Sequence, residues 1–224
     1  CKINEYGVFS TKDKQDKKQL AGKTEEDIFS FMKMSYIAPE LREDRGEIEA
    51  ALKGTLPKLV ELKDINGELH THTYRSDGRN TAQEIVQGAK QLGYKYIGIS
   101  DHSQSLKIAG GLSVREIHKN IDEIRKLNKS LKGIRILCGS EVDISQEGKL
   151  DYPDSVLKEL DFVIAAIHTN FKQPRAQQTK RIISACQNKY VNIVAHLTGI
   201  LRGQRDSYEV DLDEVLKAAK DNEV

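Results

Sequence analysis

From residue 65 onward the sequence repeats one unit: an apolar run that ends in a polar residue and is, in most cases, followed by a helical pattern. The runs recur about every 30 residues, and they are Gly67–Thr71, Tyr96–Ser100, Ile134–Ser140, Phe162–Ile167 and Val191–Ala195. Strands of nearly continuous apolar character that alternate with helices pair in parallel and are covered by those helices. The pattern predicts an α/β fold. Five units without an obvious reversal favour a β/α barrel, with an open sheet as the alternative.

The segments between these runs predict helices. One apolar stripe covers residues 82–92 and is closed by Gly93, and a second follows Ser113 as N-cap and runs to Leu131. The later predicted helices are Asp154–Leu160, Gln177–Asn188 and Leu212–Asn222. A closed barrel needs more strands than these, so we expect the chain to be a piece of a longer protein that is cut at both ends.

Residues 1–66 lack this repeat and carry no combination of side chains that would form a catalytic set. Their predicted elements are a strand over Asn4–Phe9, a Lys-rich loop from Thr11 to Lys23, a helix from the N-cap Thr24 through Met34, and a helix with Pro39 in its first turn that runs to Lys53 and ends at Gly54.

Composition and charge restrict the binding partners and the cellular compartment that can be expected for this chain. The net charge is +1, so binding to nucleic acid requires a local basic patch. The longest apolar run, Phe162–Ile167, has six residues, whereas a membrane-spanning helix needs about 20. Cys1, Cys138 and Cys186 are too scattered for a disulfide framework or a Cys-x-x-Cys metal knuckle. We therefore expect a reduced, cytoplasmic protein with no membrane partner.

Five of the six histidines fall at or just past the predicted strand ends, and the third strand ends in Glu141 instead. The five are His70, His72, His102, His168 and His196. All strand ends of a parallel barrel open onto one face, so these side chains are expected to meet there. The two-residue strand period directs His70 and His72 to the same side. Asp77, in the turn before Gly78, is expected to reach the same mouth, whereas His118 lies on a helix and is predicted to have no chemistry.

A single histidine at a strand end is more often a hydrogen-bonded core or surface residue, but the full set predicts a multinuclear metal site. Mixed imidazole and carboxylate ligands suit Zn, Mn or Fe better than Mg or Ca. No nucleophile elbow and no phosphate-binding glycine loop is present, so hydrolysis of phosphate esters by a metal-activated water is the predicted chemistry. Asp101 and Asp143 are expected to orient other groups and are left out of the ligand set.

The loops after the strands also carry basic residues: Arg75, Lys107, Lys172, Arg175, Arg202 and Arg205. Each by itself is more often a solvated surface charge. As a set on the metal face, they predict a substrate that is anionic and bound through its phosphates.

These motifs resemble the PHP (polymerase and histidinol phosphatase) superfamily. The matching stretches are Glu68-Leu69-His70-Thr71-His72-Thr73, Ser76-Asp77-Gly78, Ser100-Asp101-His102, Gly139-Ser140-Glu141-Val142-Asp143, Ile167-His168 and Ala195-His196. More narrowly, the chain is similar to the C-terminal part of bacterial and archaeal family X DNA polymerases. The stretches Asn4–Phe9 and Tyr36–Glu43 are similar to the end of their thumb and its linker.

The resemblance implies a distorted, seven-stranded, TIM-like β/α barrel whose last strands are missing here. It divides the chain into a small α+β thumb remnant over 1–36, a helical linker over 37–66 and a phosphoesterase domain over 67–224.

The resemblance implies two to three divalent metals, which are Mn or Zn, with Fe as an alternative. One is held by His70, His72 and Glu141, a second by Glu141 with His168 and His196, and a third by Asp77 and His102. Catalysis would proceed through metals bound by His70, His72, Glu141 and His168. A late Asp-x-His of the family is absent from the sequence. Leu197-Thr198-Gly199-Ile200 also departs from the usual Pro-Thr-Gly-Arg, so a phosphate contact of that arginine is lost or moved to Arg202 or Arg205.

The function implied is a 3′–5′ exonuclease or related phosphoesterase in DNA repair, with single-stranded or gapped DNA 3′ ends and the polymerase core domains as partners. The resemblance places the acidic residues for nucleotide addition in a palm domain upstream of residue 1. The only Asp-x-Asp of the sequence, Asp211-Leu212-Asp213, stands at a predicted helix start and is interpreted as capping, so we expect that this chain does not polymerise DNA. A histidinol-phosphate-type phosphatase of small molecules and a non-catalytic, metal-stabilised scaffold remain as alternatives.

Overall fold

The computed structural model describes residues 1–11 and 18–224, so part of the predicted Lys-rich loop lies outside the described residues. The described chain forms two compact units, Cys1–Glu61 and Leu62–Val224. Among the described helices, none has both the length and the apolar character needed to cross a membrane.

The first unit contains a three-stranded antiparallel sheet of β1 (Lys2–Asn4), β2 (Gly7–Phe9) and β3 (Gln19–Ala21), in that order. The predicted single strand over Asn4–Phe9 is wrong, because a tight turn divides it into two paired strands. Gly7 follows the turn with φ of +126°, a conformation that residues with a side chain rarely adopt.

Helix α1 (Glu25–Phe31) begins at the predicted N-cap Thr24, whose side chain accepts a hydrogen bond from the Asp27 amide. It ends before the predicted Met34, since Lys33 has a left-handed φ of +58°. The predicted helix from Pro39 to Lys53 is wrong in its first half: Pro39–Leu41 forms only a 3-10 turn, and α2 covers Glu47–Lys53. Gly46, at φ of +93°, separates the two. Gly54 closes α2 in the left-handed conformation, as predicted.

The second unit contains five parallel strands in sequential order, which confirms the predicted α/β class with a curled parallel sheet. They are β4 (Gly67–Glu68), β5 (Tyr96–Ile99), β6 (Arg135–Asp143), β7 (Phe162–Ala166) and β8 (Ile193–Val194). β4 is shorter than predicted. The Glu68 carboxylate accepts hydrogen bonds from the amides of Leu69 and His70, at 2.8 and 2.9 Å, so these amides leave the strand ladder.

The predicted crossover helices are all present, with shifted ends. They are α3 (Ala82–Gln91), α4 (Val114–Ser130), α5 (Asp154–Leu157), α6 (Arg175–Cys186) and α7 (Leu212–Asp221). Thr81 with Glu84 and Ser113 with Glu116 form capping boxes at α3 and α4, where each side chain satisfies a free amide. Asp211 caps α7 by accepting from the Glu214 amide, which confirms that its Asp-x-Asp is a capping feature.

Each face of the sheet carries an apolar cluster, which explains why its strands read as nearly continuous apolar runs. The larger cluster includes buried residues of α4 and α6. The smaller one consists of Phe162, Ile164, Ala166 and Ala195, with Leu69, Leu137 and Ile193 packed against it. The Phe162 ring lies on two glycines, since a Cβ added to Gly98 or Gly139 would come within 2.8 or 2.4 Å of it.

Candidate metal centre

Glu141 lies in β6, the middle strand of the sheet. The strand continues to Asp143 instead of ending at the predicted Ser140, because its first half pairs with β5 and its second half with β7. Glu141 therefore lies in the half of β6 that pairs with β7. Glu141 is only 2% exposed to solvent, and the backbone of His102 pairs with it just beyond the end of β5.

Five imidazoles form a closed ring around this carboxylate. Neighbouring ring centroids are 4.4 to 6.1 Å apart, in the order His70, His72, His102, His168, His196 and back to His70. The predicted convergence of the strand-end histidines therefore occurs in the structure. His118, in contrast, lies on α4, and its Nδ1 is 3.7 Å from Glu159.

Both oxygens of Glu141 contact this ring. Oε2 lies 3.0 Å from His70 Nε2, 3.4 Å from His72 Nε2 and 3.2 Å from His102 Nδ1. Oε1 lies 3.3 Å from His168 Nε2 and 2.8 Å from His196 Nε2. His196 adopts a left-handed φ of +31°. A positive φ is uncommon for a residue with a side chain, and such backbone strain is concentrated at functional sites.

Asp143 and Asp101 contact the residues around the ring. Asp143 Oδ1 lies 2.9 Å from His168 Nδ1, and its Oδ2 accepts a hydrogen bond from Ser105 at 3.0 Å. Asp101 is buried and accepts three hydrogen bonds: two from the amide and hydroxyl of Thr73, at 2.7 and 2.8 Å, and one from the Ser76 hydroxyl, at 2.7 Å. Both carboxylates orient other groups, in the way expected from the sequence.

Asp77 directly follows Ser76, in the loop that is held by the hydrogen bonds from Thr73 and Ser76 to Asp101. Its carboxylate lies 3.7 Å from His72 Nδ1 and 3.4 Å from His102 Nε2. About half of the Asp77 side chain is exposed, so it stands at the solvent side of the ring.

The ring and its carboxylates shift one another's proton affinities. Burial alone would raise the pKa of Glu141, but hydrogen bonds from His168, His196 and His70 outweigh it and hold this pKa well below the usual value. Burial alone would lower the pKa of His168, but hydrogen bonds to Asp143 and Glu141 raise it to about 9. The hydrogen bond to Glu141 raises the pKa of His70, whereas burial and the neighbouring His102 lower that of His72.

The donor set fits divalent metal ions. Three groups place their ligand atoms within 4.8 Å of one another: His70 with His72 and Glu141, His72 with Asp77 and His102, and His102 with Glu141 and His168. The Nδ1 atoms of His72 and His102 are buried, and although each lies near a carboxylate oxygen, neither forms a hydrogen bond in the described part of the chain. Buried polar atoms normally have a partner, and a metal ion would supply one.

The six basic residues predicted to bind phosphate differ in their surroundings. Arg75 pairs with Glu123, and Arg175 pairs with Asp211 at 2.7 Å. Arg205 lies over the ring of Phe171, 3.8 Å from its centroid, and donates to the Gly199 carbonyl. Among the described residues, no ion pair involves the remaining three, which are Lys107, Lys172 and Arg202.

Sequence reasoning missed two polar residues that form hydrogen bonds next to the ring, Ser105 with Asp143 and Arg181 with the Thr169 carbonyl. Ser105 donates to Asp143 from an irregular loop, where no periodic pattern marks it. Arg181 is buried in α6 and had a usable signal, because helical spacing places it on the same face as Gln178, Ile182 and Ala185, all of which are buried.

Residues 68–224 match the model of the PHP domain family, and residues 1–43 match that of the DNA polymerase beta thumb. DNA polymerase/3′-5′ exonuclease PolX of Bacillus subtilis (strain 168) is 39% identical over 98% of this chain, which spans 38% of that protein. A probable phosphatase of Thermoanaerobacter sp. (strain X514) is 33% identical over 69% of this chain, and the alignment covers 60% of that protein.

A solved structure of histidinol phosphate phosphatase from Lactococcus lactis, in complex with Zn, L-histidinol and phosphate, covers 70% of each chain at 16% identity and a TM-score of 0.47. The match to the PHP model extends over more than half of the sequence. The resemblance seen in the sequence motifs is thereby confirmed, and the chain belongs to the PHP domain family.

Proposed function

We propose that this chain is a metal-dependent phosphoesterase that hydrolyses DNA from its 3′ ends, as part of a family X DNA polymerase. The observation that carries the proposal is the closed ring of five imidazoles around the buried Glu141. Membership of the PHP family and the name of the Bacillus subtilis relative support the same reaction and substrate. In this proposal residues 1–36 are the end of a thumb, 37–66 a linker, and 67–224 the hydrolase domain.

Seven side chains would hold two to three metal ions: His70, His72, Asp77, His102, Glu141, His168 and His196. Imidazole and carboxylate donors favour Mn or Zn, with Fe as a further candidate. Bound divalent ions supply Lewis acidity, which neutralises phosphate charge and activates water for attack on phosphorus.

The residues of the chain prepare these ligands. Asp143 Oδ1 is placed to accept a hydrogen bond from the Nδ1–H of His168, and in the neutral ring this tautomer would turn the lone pair of Nε2 into the site. Glu141 offers one oxygen to each half of the ring and keeps a negative charge at its centre. Asp101 holds the loop that carries Asp77.

Activity on labelled single-stranded oligonucleotides tests the proposal. With Mn²⁺ we expect stepwise shortening from the 3′ end, loss of this activity in H168A, and unchanged activity in H118A. His118 is the matched control, because it lies outside the ring on α4. Metal-replete protein that leaves oligonucleotides intact, or an H168A variant with wild-type turnover at saturating substrate, contradicts the proposal.

The basic rim is proposed to bind the phosphates of the DNA strand, chiefly through Lys107, Lys172, Arg202 and Arg205. Arg75 and Arg175 contribute less, since each already has a carboxylate partner. Each phosphate contact to a single strand makes the slope of log affinity against log salt concentration more negative by about 0.7. Oligonucleotide titrations at several salt concentrations should therefore show a reduced slope for K172A or R202A and a nearly unchanged slope for R175A.

A second candidate is a phosphatase of small phosphomonoesters. It is favoured by the probable phosphatases among the relatives, which align with about two thirds of this chain at 30 to 34% identity. Competition between an oligonucleotide and a small phosphomonoester separates the two, because the better substrate has the higher kcat/KM under identical metal loading.

A further inference from the structure

Arg181, on α6, is among the largest side chains that are fully buried, at 1% exposure. Among the described residues, its guanidinium donates only to neutral acceptors. Nε and Nη2 both donate to the Ile144 carbonyl, and Nη1 lies 2.9 Å from the Thr169 carbonyl. Nη1 also lies 3.2 Å from Gln173 Oε1 and 3.3 Å from Gln178 Oε1. No carboxylate forms an ion pair with Arg181 within the described chain.

The two backbone acceptors follow directly after two residues of the site. Ile144 follows Asp143 at the end of β6, and Thr169 follows His168 after β7. Asp143 and His168 are themselves joined by the 2.9 Å contact between Oδ1 and Nδ1. One guanidinium thus holds the backbone next to both members of this pair.

Two glutamines join the same segments. Gln178 donates to the Asn170 carbonyl at 3.2 Å, and Gln173 donates to the Gln146 carbonyl at 3.2 Å. Arg181 contacts the Oε1 atoms of both glutamines, so the loops after Asp143 and His168 are connected through one buried network.

A buried cation without a carboxylate partner is costly, and an apolar side chain would suit this core-facing helix position better. Burial accordingly lowers the pKa of the Arg181 guanidinium, and the nearby charge of Asp143 offsets part of this effect. What arginine supplies here is a planar fork of five N–H donors, which can satisfy carbonyls of two separate loops at once.

We propose that Arg181 is a positioning residue for the candidate metal centre: it fixes the ends of β6 and β7 so that Asp143 meets His168 and the His168 ring faces Glu141. Its relevance to hydrolysis rests on the proposed function, whereas its effect on the Asp143–His168 pair does not.

The test compares R181M, which keeps an unbranched and flexible side chain but removes its donors, with R181K and with I182A. Ile182 is adjacent in α6, is 1% exposed and belongs to the main apolar core, so I182A weakens the helix packing while every hydrogen-bond donor of Arg181 stays in place. Urea unfolding of each variant gives its stability, and NMR spectra are compared at equal fractions of folded protein.

The first measurement is ¹⁵N-resolved NMR of the histidine side chains in metal-free protein at constant pH. The Nδ1–H of His168, hydrogen-bonded to Asp143, should be protected from solvent exchange in the wild type. In R181M this protection should fall at least tenfold, while the signals of His70 and His72 stay unchanged. R181K should restore part of the protection, since an ammonium can donate to both carbonyls but lacks the fork. I182A should keep the wild-type value.

The second measurement is Zn²⁺ affinity by calorimetry with chelator competition. Loss of a group that orients a metal ligand typically weakens binding about 10- to 100-fold, and we expect this for R181M at the site that contains His168. Unchanged His168 protection in R181M overturns the proposal, and so does an equal loss in I182A. If R181M does not fold, R181K decides: reduced protection supports the proposal and wild-type protection refutes it. Wild-type protein that binds none of Zn²⁺, Mn²⁺ and Fe²⁺ refutes the proposed function, and the NMR comparison then decides by itself whether Arg181 positions His168.

Discussion

Replacing Gly139 by alanine places a methyl group where the Phe162 ring now lies. The added Cβ would stand 2.4 Å from Cζ and 2.6 Å from both Cε atoms of that ring. Ordinary contacts of a Cβ begin near 3.4 Å, so the ring or the strand must move by about 1 Å. Phe162 is paired with Gly139 in the register of β6 and β7 and packs against Ile164 and Ala166, so the ring has little room to withdraw.

Overpacking of this kind costs about 1 to 3 kcal/mol of the free energy of unfolding. We expect G139A to fall in the upper half of this range, because the contact involves three ring atoms. The loss should be smaller when the ring is also removed. In a double-mutant cycle, G139A/F162L should be more stable than the sum of the two single changes predicts, by about 1 kcal/mol or more.

Urea unfolding followed by circular dichroism gives these free energies. Gly88→Ala is the matched control, because Gly88 lies inside α3 and the added Cβ would meet no described atom within 4 Å beyond its chain neighbours and the backbone of its own helix. Alanine there should stabilise the protein by about 0.5 to 1 kcal/mol. A G139A variant as stable as the wild type, or a strictly additive cycle, would show that the Phe162 ring does not define the spacing of β6 and β7.

Three further changes address the candidate site and its support. In D101N, one of the groups that donate to Asp101 would face an amide N–H₂ group instead of an acceptor oxygen. The free energy of unfolding, measured with urea, should therefore fall by about 1 to 3 kcal/mol. A D101N variant as stable as the wild type would contradict the role given to Asp101. Burial raises the pKa of the Cys138 thiol to about 12. The thiol therefore stays protonated in the folded state while it ionises in the unfolded chain, and the free energy of unfolding should fall by about 1.4 kcal/mol between pH 8 and pH 10. C138A should lose this part of the decrease in stability with pH. An equal decrease in C138A would refute the role given to the Cys138 thiol. Zn²⁺ at a hundred times its Kd should stabilise the protein by about 2.7 kcal/mol and raise its Tm reversibly with a chelator; this increase should be smaller in H168A and complete in H118A, and no shift in the wild type would argue against the metal site.

The sequence was sufficient for the strand order and for the convergence of the histidines, for one physical reason. Strands buried on both faces read as continuous apolar runs, and parallel strands end at one edge, so polar residues at the run ends must meet. Strand ends were harder to predict. The Glu68 carboxylate accepts hydrogen bonds from the amides of the next two residues, Leu69 and His70. These bonds compete with strand pairing, but they leave the apolar pattern of the sequence unchanged.

Partners far apart in the sequence could not be predicted. Arg75 was expected on the phosphate-binding rim, but it pairs with Glu123, which is 48 residues away on α4. Whether an arginine in a loop points to solvent or to a helix depends on the path of that loop across the surface. The periodicity of apolar residues contains no information on this path. The same reason applies to Ser105, whose hydroxyl reaches Asp143 from another loop.

Glu141 is the carboxylate that the five imidazoles surround, and its place in the sheet gives a reason. β6 is the middle strand, with two strands on each side. Oε2 faces the three histidines that follow β4 and β5, and Oε1 faces the two that follow β7 and β8. An imidazole at this position would offer at most one acceptor nitrogen. A carboxylate has two acceptor oxygens, so it can serve the histidines from both sides of the sheet at once, and only the middle strand brings it within reach of both.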